Sequence, residues 1–287
     1  AITGVNVQGG SVLAGGTAGI TATTGDIDGI AVMAAGAVTA LGNQSVTNSS
    51  FTSTASTVGV TATTVDVTNT DVVANLGATV LANGDVIGSS VVSETAAVGI
   101  TATTGSITAT DVNAATTATL LANVDIVGGD VVSGTAASLT ATTGEINGTN
   151  VQTDTTAALT AALDITGVSV DAATSITVTA GGDLTGGAFD SALITVAAGV
   201  DNVVGNAFTT SGAIGITADQ DVTGNAVDAG GQVDITATGD ASGNLIDSGA
   251  AVNVTATEDA TGNIIDAVGT VTILATEDAA GNVIDTA

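Results

Sequence analysis

The sequence predicts an all-β chain wound as a parallel β-helix, or β-solenoid. Three observations predict it: a period near 19 residues that runs through all 287 positions, alternation of apolar and polar residues inside each period, and glycine too frequent for helices. The period is plainest near the C-terminus, where NVTATEDATGNIID, beginning at Asn253, returns as TILATEDAAGNVID. Ile216, Ile235, Val254 and Ile273 fall at intervals of 19, and Gly186, Gly205, Gly224, Gly243, Gly262 and Gly281 keep the same interval. Upstream the anchors are read as Ile2, Ile20, Val38, Val60, Val80, Ile100, Leu120, Leu139, Leu159 and Val178, in steps of 18 to 22. The expectation is a single solenoid domain over 1–287 with roughly 15 coils, looser over 1–158 and regular over 159–287. Among the looser coils a pair of dialects alternates about 40 residues apart, ITATTGDI, VTATTVDV, ITATTGSI and LTATTGEI against VLANGDV and LLANVDI.

Within QVDITATGDASGNLIDSGA, Val233, Ile235 and Ala237 alternate with Asp234, Thr236 and Thr238, which is the period of a strand with one buried face. Val, Ile and Thr favour strand, whereas each glycine inside a helix would cost about 1 kcal/mol. About 19 residues suit three short strands joined by tight turns, with successive coils about 4.8 Å apart. The winding is expected to be right-handed, as parallel crossovers generally are.

Composition restricts the function classes. The chain has no Lys, Arg, His, Pro, Cys, Trp or Tyr and a formal charge of -28, so its carboxylates have no side-chain counter-ion within it. Nucleic acid is disfavoured as a partner, because its phosphates would be repelled. A hydrophobic fraction of 44% and a mean hydropathy of +0.56 set the chain apart from disordered proteins. No apolar run approaches the roughly 18 residues of a membrane span. Without His, Cys, Lys, Arg or Tyr there is no triad, Schiff base or zinc site, and acids that recur in every coil do not converge on one cleft, so no enzyme is expected.

At this point ITATTGDIDG and VDITATGDASGN resemble the parallel β-helix shafts of filamentous-haemagglutinin-like adhesins and other giant extracellular repeat proteins. The resemblance covers almost the whole chain. It implies an extracellular or cell-surface location, a structural or adhesive role, and partners that are further copies of the chain, joined head to tail or laterally, or cell-surface or host glycans. Coil-like sequence at both ends, AITGVNVQGG and GNVIDTA, adds the expectation that another copy or a longer chain covers them.

Three columns are candidate sites. Asn206, Asn225, Asn244, Asn263 and Asn282 each follow a glycine and should fall on one another as an internal amide ladder. Two acidic columns recur, Asp164, Asp183, Asp221, Asp240, Asp259 and Asp278 in one, and Asp171, Asp190, Asp228, Asp247, Asp266 and Asp285 in the other, interrupted at Asn202 and Thr209. Their oxygen-only chemistry suits a hard cation, Ca²⁺ first, with Glu258 and Glu277 reinforcing the C-terminal end; the plainer reading is turn aspartates facing water. Thr-x-Thr pairs, Thr21 with Thr23, Thr61 with Thr63 and Thr101 with Thr103, are read as strand residues that both point outward, Ile and Ala pointing in, and as a flat array they would make either an ice-binding face or a lateral one. Asn43, Asn48, Asn147 and Asn253 stand in glycosylation sequons.

Overall fold

A computed structural model of the chain describes residues 1–197 and 199–287. Among these residues every regular element is a strand, and the strands lie in three parallel sheets wound as a β-solenoid of about 15 coils. The chain divides into two units, Ala1–Gly144 and Glu145–Ala287. In each, a coil contributes one strand to a first sheet, a two-residue strand to a second and a four-residue strand to a third, except that the last coil, with Val271–Ala275 and Val283–Thr286, adds no strand to the second. One coil of the second unit, for example, runs Val233–Ala237, Ala241–Ser242 and Leu245–Ser248.

Alternation within these strands decides what is buried. Val233, Ile235 and Ala237 point inward and are at most 1% exposed, while Asp234 and Thr236 between them face out. Each fully buried Val, Ile or Leu contributes roughly 1.5–3 kcal/mol, so a narrow core of small side chains suffices because it recurs in every coil. Like residues stack on like: Ile235 lies between Ile216 and Val254, and Phe189 stacks on Phe208 with ring centroids 5.2 Å apart.

The register corrects one anchor. Val38 pairs with Ala18 and Val58, and it is Ala40 that lies between Ile20 and Val60. Ala40 is small, and the larger Val38 two positions earlier lies on the same inward face, so side-chain size points to the wrong residue. With Ala40 as anchor, the first sheet advances by 20 residues at every coil from Ile20 to Leu120, and the uneven steps vanish.

The same register explains the two dialects. From Ile20 to Ile27, the inward residue of the second sheet, is seven residues, but from Ala40 to Val46 it is six. The missing residue returns at the next corner, where Phe51 to Val60 takes nine residues against eight from Val32 to Ala40. ITATTGDI therefore spells a coil with a long first corner and VLANGDV one with a short first corner. Alternating them keeps the first sheet evenly spaced.

Candidate functional site

The glycine before each ladder asparagine adopts the left-handed conformation, with φ of 65° at Gly224 and 63° at Gly243. That turn points the following side chain into the coil. Asn206, Asn225, Asn244 and Asn263 are at most 2% exposed. Nδ2 of each donates to Oδ1 of the asparagine one coil on, at 3.1, 3.1, 3.0 and 3.0 Å from Asn206 to Asn282. The accepting oxygen also takes the backbone N–H of the donating residue, at 2.9–3.1 Å. Nδ2 donates in addition to a core carbonyl 22 residues back, Val203 O from Asn225 and Val222 O from Asn244, both at 2.9 Å. The ladder begins at Gly187, whose N–H donates to Asn206 Oδ1 at 2.8 Å. A side chain at Gly187 would collide with the Phe189 ring, 2.5 Å from the position of its Cβ.

Hydroxyls hold the same place in the first unit. Ser49, Thr70, Ser89 and Thr110 are buried, and Thr70 Oγ1 donates to Val46 O as Thr110 Oγ1 does to Val86 O, each at 3.4 Å. Sequence reading misses this column because residue type changes along it, but its signal is legible: each hydroxyl sits three residues after the inward residue of the second sheet. The preceding left-handed position is filled there by Asn48, Asn69 and Ala109 as well as by glycine, with φ of 49°, 48° and 47°.

The first acidic column is a second ladder. Asp183 N–H donates to Asp164 Oδ1 at 2.8 Å, Asp240 N–H to Asp221 Oδ1 at 2.8 Å, Asp259 N–H to Asp240 Oδ1 at 3.0 Å and Asp278 N–H to Asp259 Oδ1 at 2.9 Å. Asn202 continues this column: its N–H donates to Asp183 Oδ1 and its own Oδ1 accepts the Asp221 N–H, both at 3.1 Å. An amide oxygen serves as well as a carboxylate here, so the change of residue breaks the acidity and leaves the bonding intact. The first unit has the same column, in which Asp26 N–H donates to Asn6 Oδ1, Ser45 N–H to Asp26 Oδ1 and Asp85 N–H to Asp66 Oδ1, at 2.7–3.0 Å. Every member up to Asp259 directly precedes the inward residue of the second sheet, a regularity hidden by the shifting corner length.

Glycine accompanies these carboxylates for a steric reason. A Cβ on Gly84 would lie 2.2 Å from Asp66 Oδ1, and one on Gly239 would lie 2.2 Å from Asp221 Oδ1. The carboxylate of one coil thus occupies the space that a side chain of the next would need.

The second acidic column differs. Asp171 pairs with Asp190, and Asp228, Asp247, Asp266 and Asp285 follow one another in register on the outer face of the third sheet, their side chains exposed and making no hydrogen bond among the described residues. Thr209 stands between Asp190 and Asp228. Glu258 and Glu277 are exposed beside Asp259 and Asp278, and the backbone N–H of Glu277 donates to Glu258 O. Among the described residues no group of three or more acidic side chains is placed to hold a metal ion.

The Thr-x-Thr pairs are not flat arrays. Thr21, Thr61 and Thr101 lie on first-sheet strands that end at Ala22, Ala62 and Ala102, so Thr23, Thr63 and Thr103 fall in the turn beyond. There Thr23 Oγ1 donates to Gly4 O and Thr63 Oγ1 to Gly42 O. On the strand itself threonine alternates with leucine, Thr61 lying between Leu41 and Leu81. All four sequon amides donate within the chain: Asn43 Nδ2 to Thr23 O, Asn48 Nδ2 to Asp28 Oδ1, Asn147 Nδ2 to Glu145 Oε1 and Asn253 Nδ2 to Asp234 Oδ1.

These ladders and sheets define the chain as a β-solenoid repeat protein. Comparison with protein-family models, curated proteins and solved structures finds no match to it.

Proposed function

We propose that the chain is a structural segment of an extracellular filament or adhesin shaft. The observation that carries this reading is the buried amide ladder from Asn206 to Asn282, in which one side chain type bonds to its own copy coil after coil. Such bonding serves to hold coils together; it leaves no polar group free to meet a ligand. The corner carboxylates support the reading in the same way, since each accepts a backbone N–H of the adjoining coil. A chain without Lys or Arg also offers trypsin no cleavage site, which suits a location outside the cell.

Under this reading the outer column from Asp171 to Asp285 is where Ca²⁺ would act, screening carboxylates between neighbouring molecules. Electron microscopy of the purified chain, with and without Ca²⁺, tests the reading. Elongated assemblies are expected, with diffraction near 4.8 Å along their length. Discrete particles of a single chain under all conditions would refute it.

A further inference from the structure

The first sheet of the first unit presents an outer face unlike the others. Its eight strands, from Ile2–Gly4 to Ala136–Ala141, contain no acidic residue, whereas the second sheet of that unit carries Asp28 and the third carries Asp71, Asp111 and Asp130. Leu41, Leu81 and Leu121 stand out from it at two-coil intervals, 44, 43 and 41% exposed. Beside them, Thr39, Thr79 and Thr119 alternate in register with Gly19, Gly59 and Gly99.

Nothing within the chain requires those glycines. A Cβ on Gly19 or Gly59 would meet no atom closer than 3.6 Å, and one on Gly99 none closer than 3.9 Å, and none of the three has a positive φ. A glycine inside a strand costs roughly 0.5–1 kcal/mol, and where the fold does not demand it the usual reason is close approach by another molecule or backbone. The result is a row of gaps between threonines, beside a row of leucines between threonines.

We propose that this face docks against the same face of a second copy of the chain, as an antiparallel pair whose two-fold axis passes between the Gly59 and Thr79 strands. In that arrangement Thr79 of each copy lies opposite Gly59 of the other, and each leucine lies opposite a threonine. Charge selects the occupant. Without a bridging cation, two chains of -28 with no basic residue come together best where carboxylates do not face each other, and this is the sheet of the unit that carries none. Eight strands about 4.8 Å apart and five residues of about 3.3 Å give roughly 600 Å² per copy, so a pair buries on the order of 1,200 Å², the lower end of the range for specific interfaces.

This inference rests on the structural reading above and adds to it the partner and the face. Sedimentation equilibrium of the full chain from about 1 μM to 1 mM should show reversible dimers. The double variant Gly59→Thr with Gly99→Thr fills the gaps with a residue that favours strands, so it should keep or raise the unfolding midpoint while weakening dimerisation at least tenfold. Leu81→Asp should weaken it at least as much, and Thr185→Asp, on the second sheet of the second unit, should leave it unchanged. A wild-type chain that stays monomeric overturns the inference, as does a gap-filled variant that dimerises like wild type, or equal weakening by Thr185→Asp. Microscopy of the same samples separates the two readings: elongated assemblies formed equally well by wild type and the gap-filled variant would retain the structural role and eliminate this face.

Discussion

Asn244 donates both its Nδ2–H and its backbone N–H to Oδ1 of Asn263, each at 3.0 Å, from neighbouring coils and in a place closed to water. A single side-chain oxygen thereby ties a backbone group and a side chain of the adjoining coil. The energetic weight of this arrangement lies less in the bonds formed than in what their loss would leave buried and unpaired.

Asn244→Ala removes an acceptor for two Asn225 donors and the donor to Val222 O. Each unsatisfied buried group costs roughly 1–3 kcal/mol, so a total loss on the order of 3–5 kcal/mol is expected. Because coils interact with their nearest neighbours, hydrogen exchange should rise first at Asn225 and the coils beside it. Asn244→Thr should recover some of the loss, since Thr70 satisfies the corresponding carbonyl, Val46 O, with its hydroxyl. Equal destabilisation by the two substitutions would show that the carbonyl contact carries little.

Ala109 holds a left-handed turn, φ 47°, at the position where most coils place glycine. An L-residue with a Cβ pays roughly 1–2 kcal/mol for that conformation, partly offset by the lower entropy of alanine in the unfolded chain. Ala109→Gly is therefore expected to stabilise the first unit by about 0.5–1 kcal/mol, read as a higher midpoint in urea with the slope unchanged. The same substitution at Ala114, an inward strand residue, should destabilise.

Period and alternation made the solenoid legible, because stacking forces like side chains into one column and the chain repeats them at the coil length. The asparagine ladder was legible for the same reason, its residue type never changing from Asn206 to Asn282. Where one physical task is met by several residue types, the pattern faded. Thr70 and Ser89 do in the first unit what Asn225 does in the second, and at the corner the Ser106 hydroxyl accepts the Asp125 N–H as Asp66 accepts that of Asp85. Ala40 was hidden by its size. The shift of one residue between corners also defeated fixed spacing, although counting from the inward residue of the second sheet would have recovered both columns. The turn position of Thr23, Thr63 and Thr103 could not be read from alternation, since a strand and the first residue after it look alike in sequence.

Asp28 offers a test by pH. Asn48 Nδ2 donates to its Oδ1 at 3.0 Å and Thr47 Oγ1 at 2.8 Å, and these bonds, Asn48 foremost, hold its carboxyl below the usual carboxylate range. A carboxyl whose pKa is lower folded than unfolded adds stability above the unfolded value, and that stability is lost as pH falls through the folded one. Asn48→Gly keeps the left-handed turn, φ 49°, and removes the amide. It should move the Asp28 titration upward toward the usual carboxylate range, followed by carboxyl-carbon NMR. An unmoved Asp28 would assign the depression to Thr47 alone.

Asp247 lies between Asp228 and Asp266 on the outer column, and nothing in the described chain neutralises it. At about 4.8 Å two carboxylates repel by roughly 0.9 kcal/mol at the dielectric of water, and salt screens most of this when the groups are exposed. Asp247→Asn relieves two such contacts and should stabilise the second unit by about 0.5–1.5 kcal/mol at about 10 mM salt, the gain shrinking to a few tenths at about 500 mM. Thr209→Asp closes the one break between Asp190 and Asp228 and should act with the opposite sign and the same salt dependence. Asp240→Asn, on the corner ladder, is the contrast: it also relieves repulsion from Asp221 and Asp259, but it exchanges the charge-assisted bond from the Asp259 N–H for a neutral one of the kind Asn202 makes with Asp221, so its net gain should stay smaller than that of Asp247→Asn at low salt. Denaturant midpoints of the three variants at both salt concentrations measure this; a salt-independent gain for Asp247→Asn would mean that packing, and not repulsion between stacked carboxylates, governs the outer column.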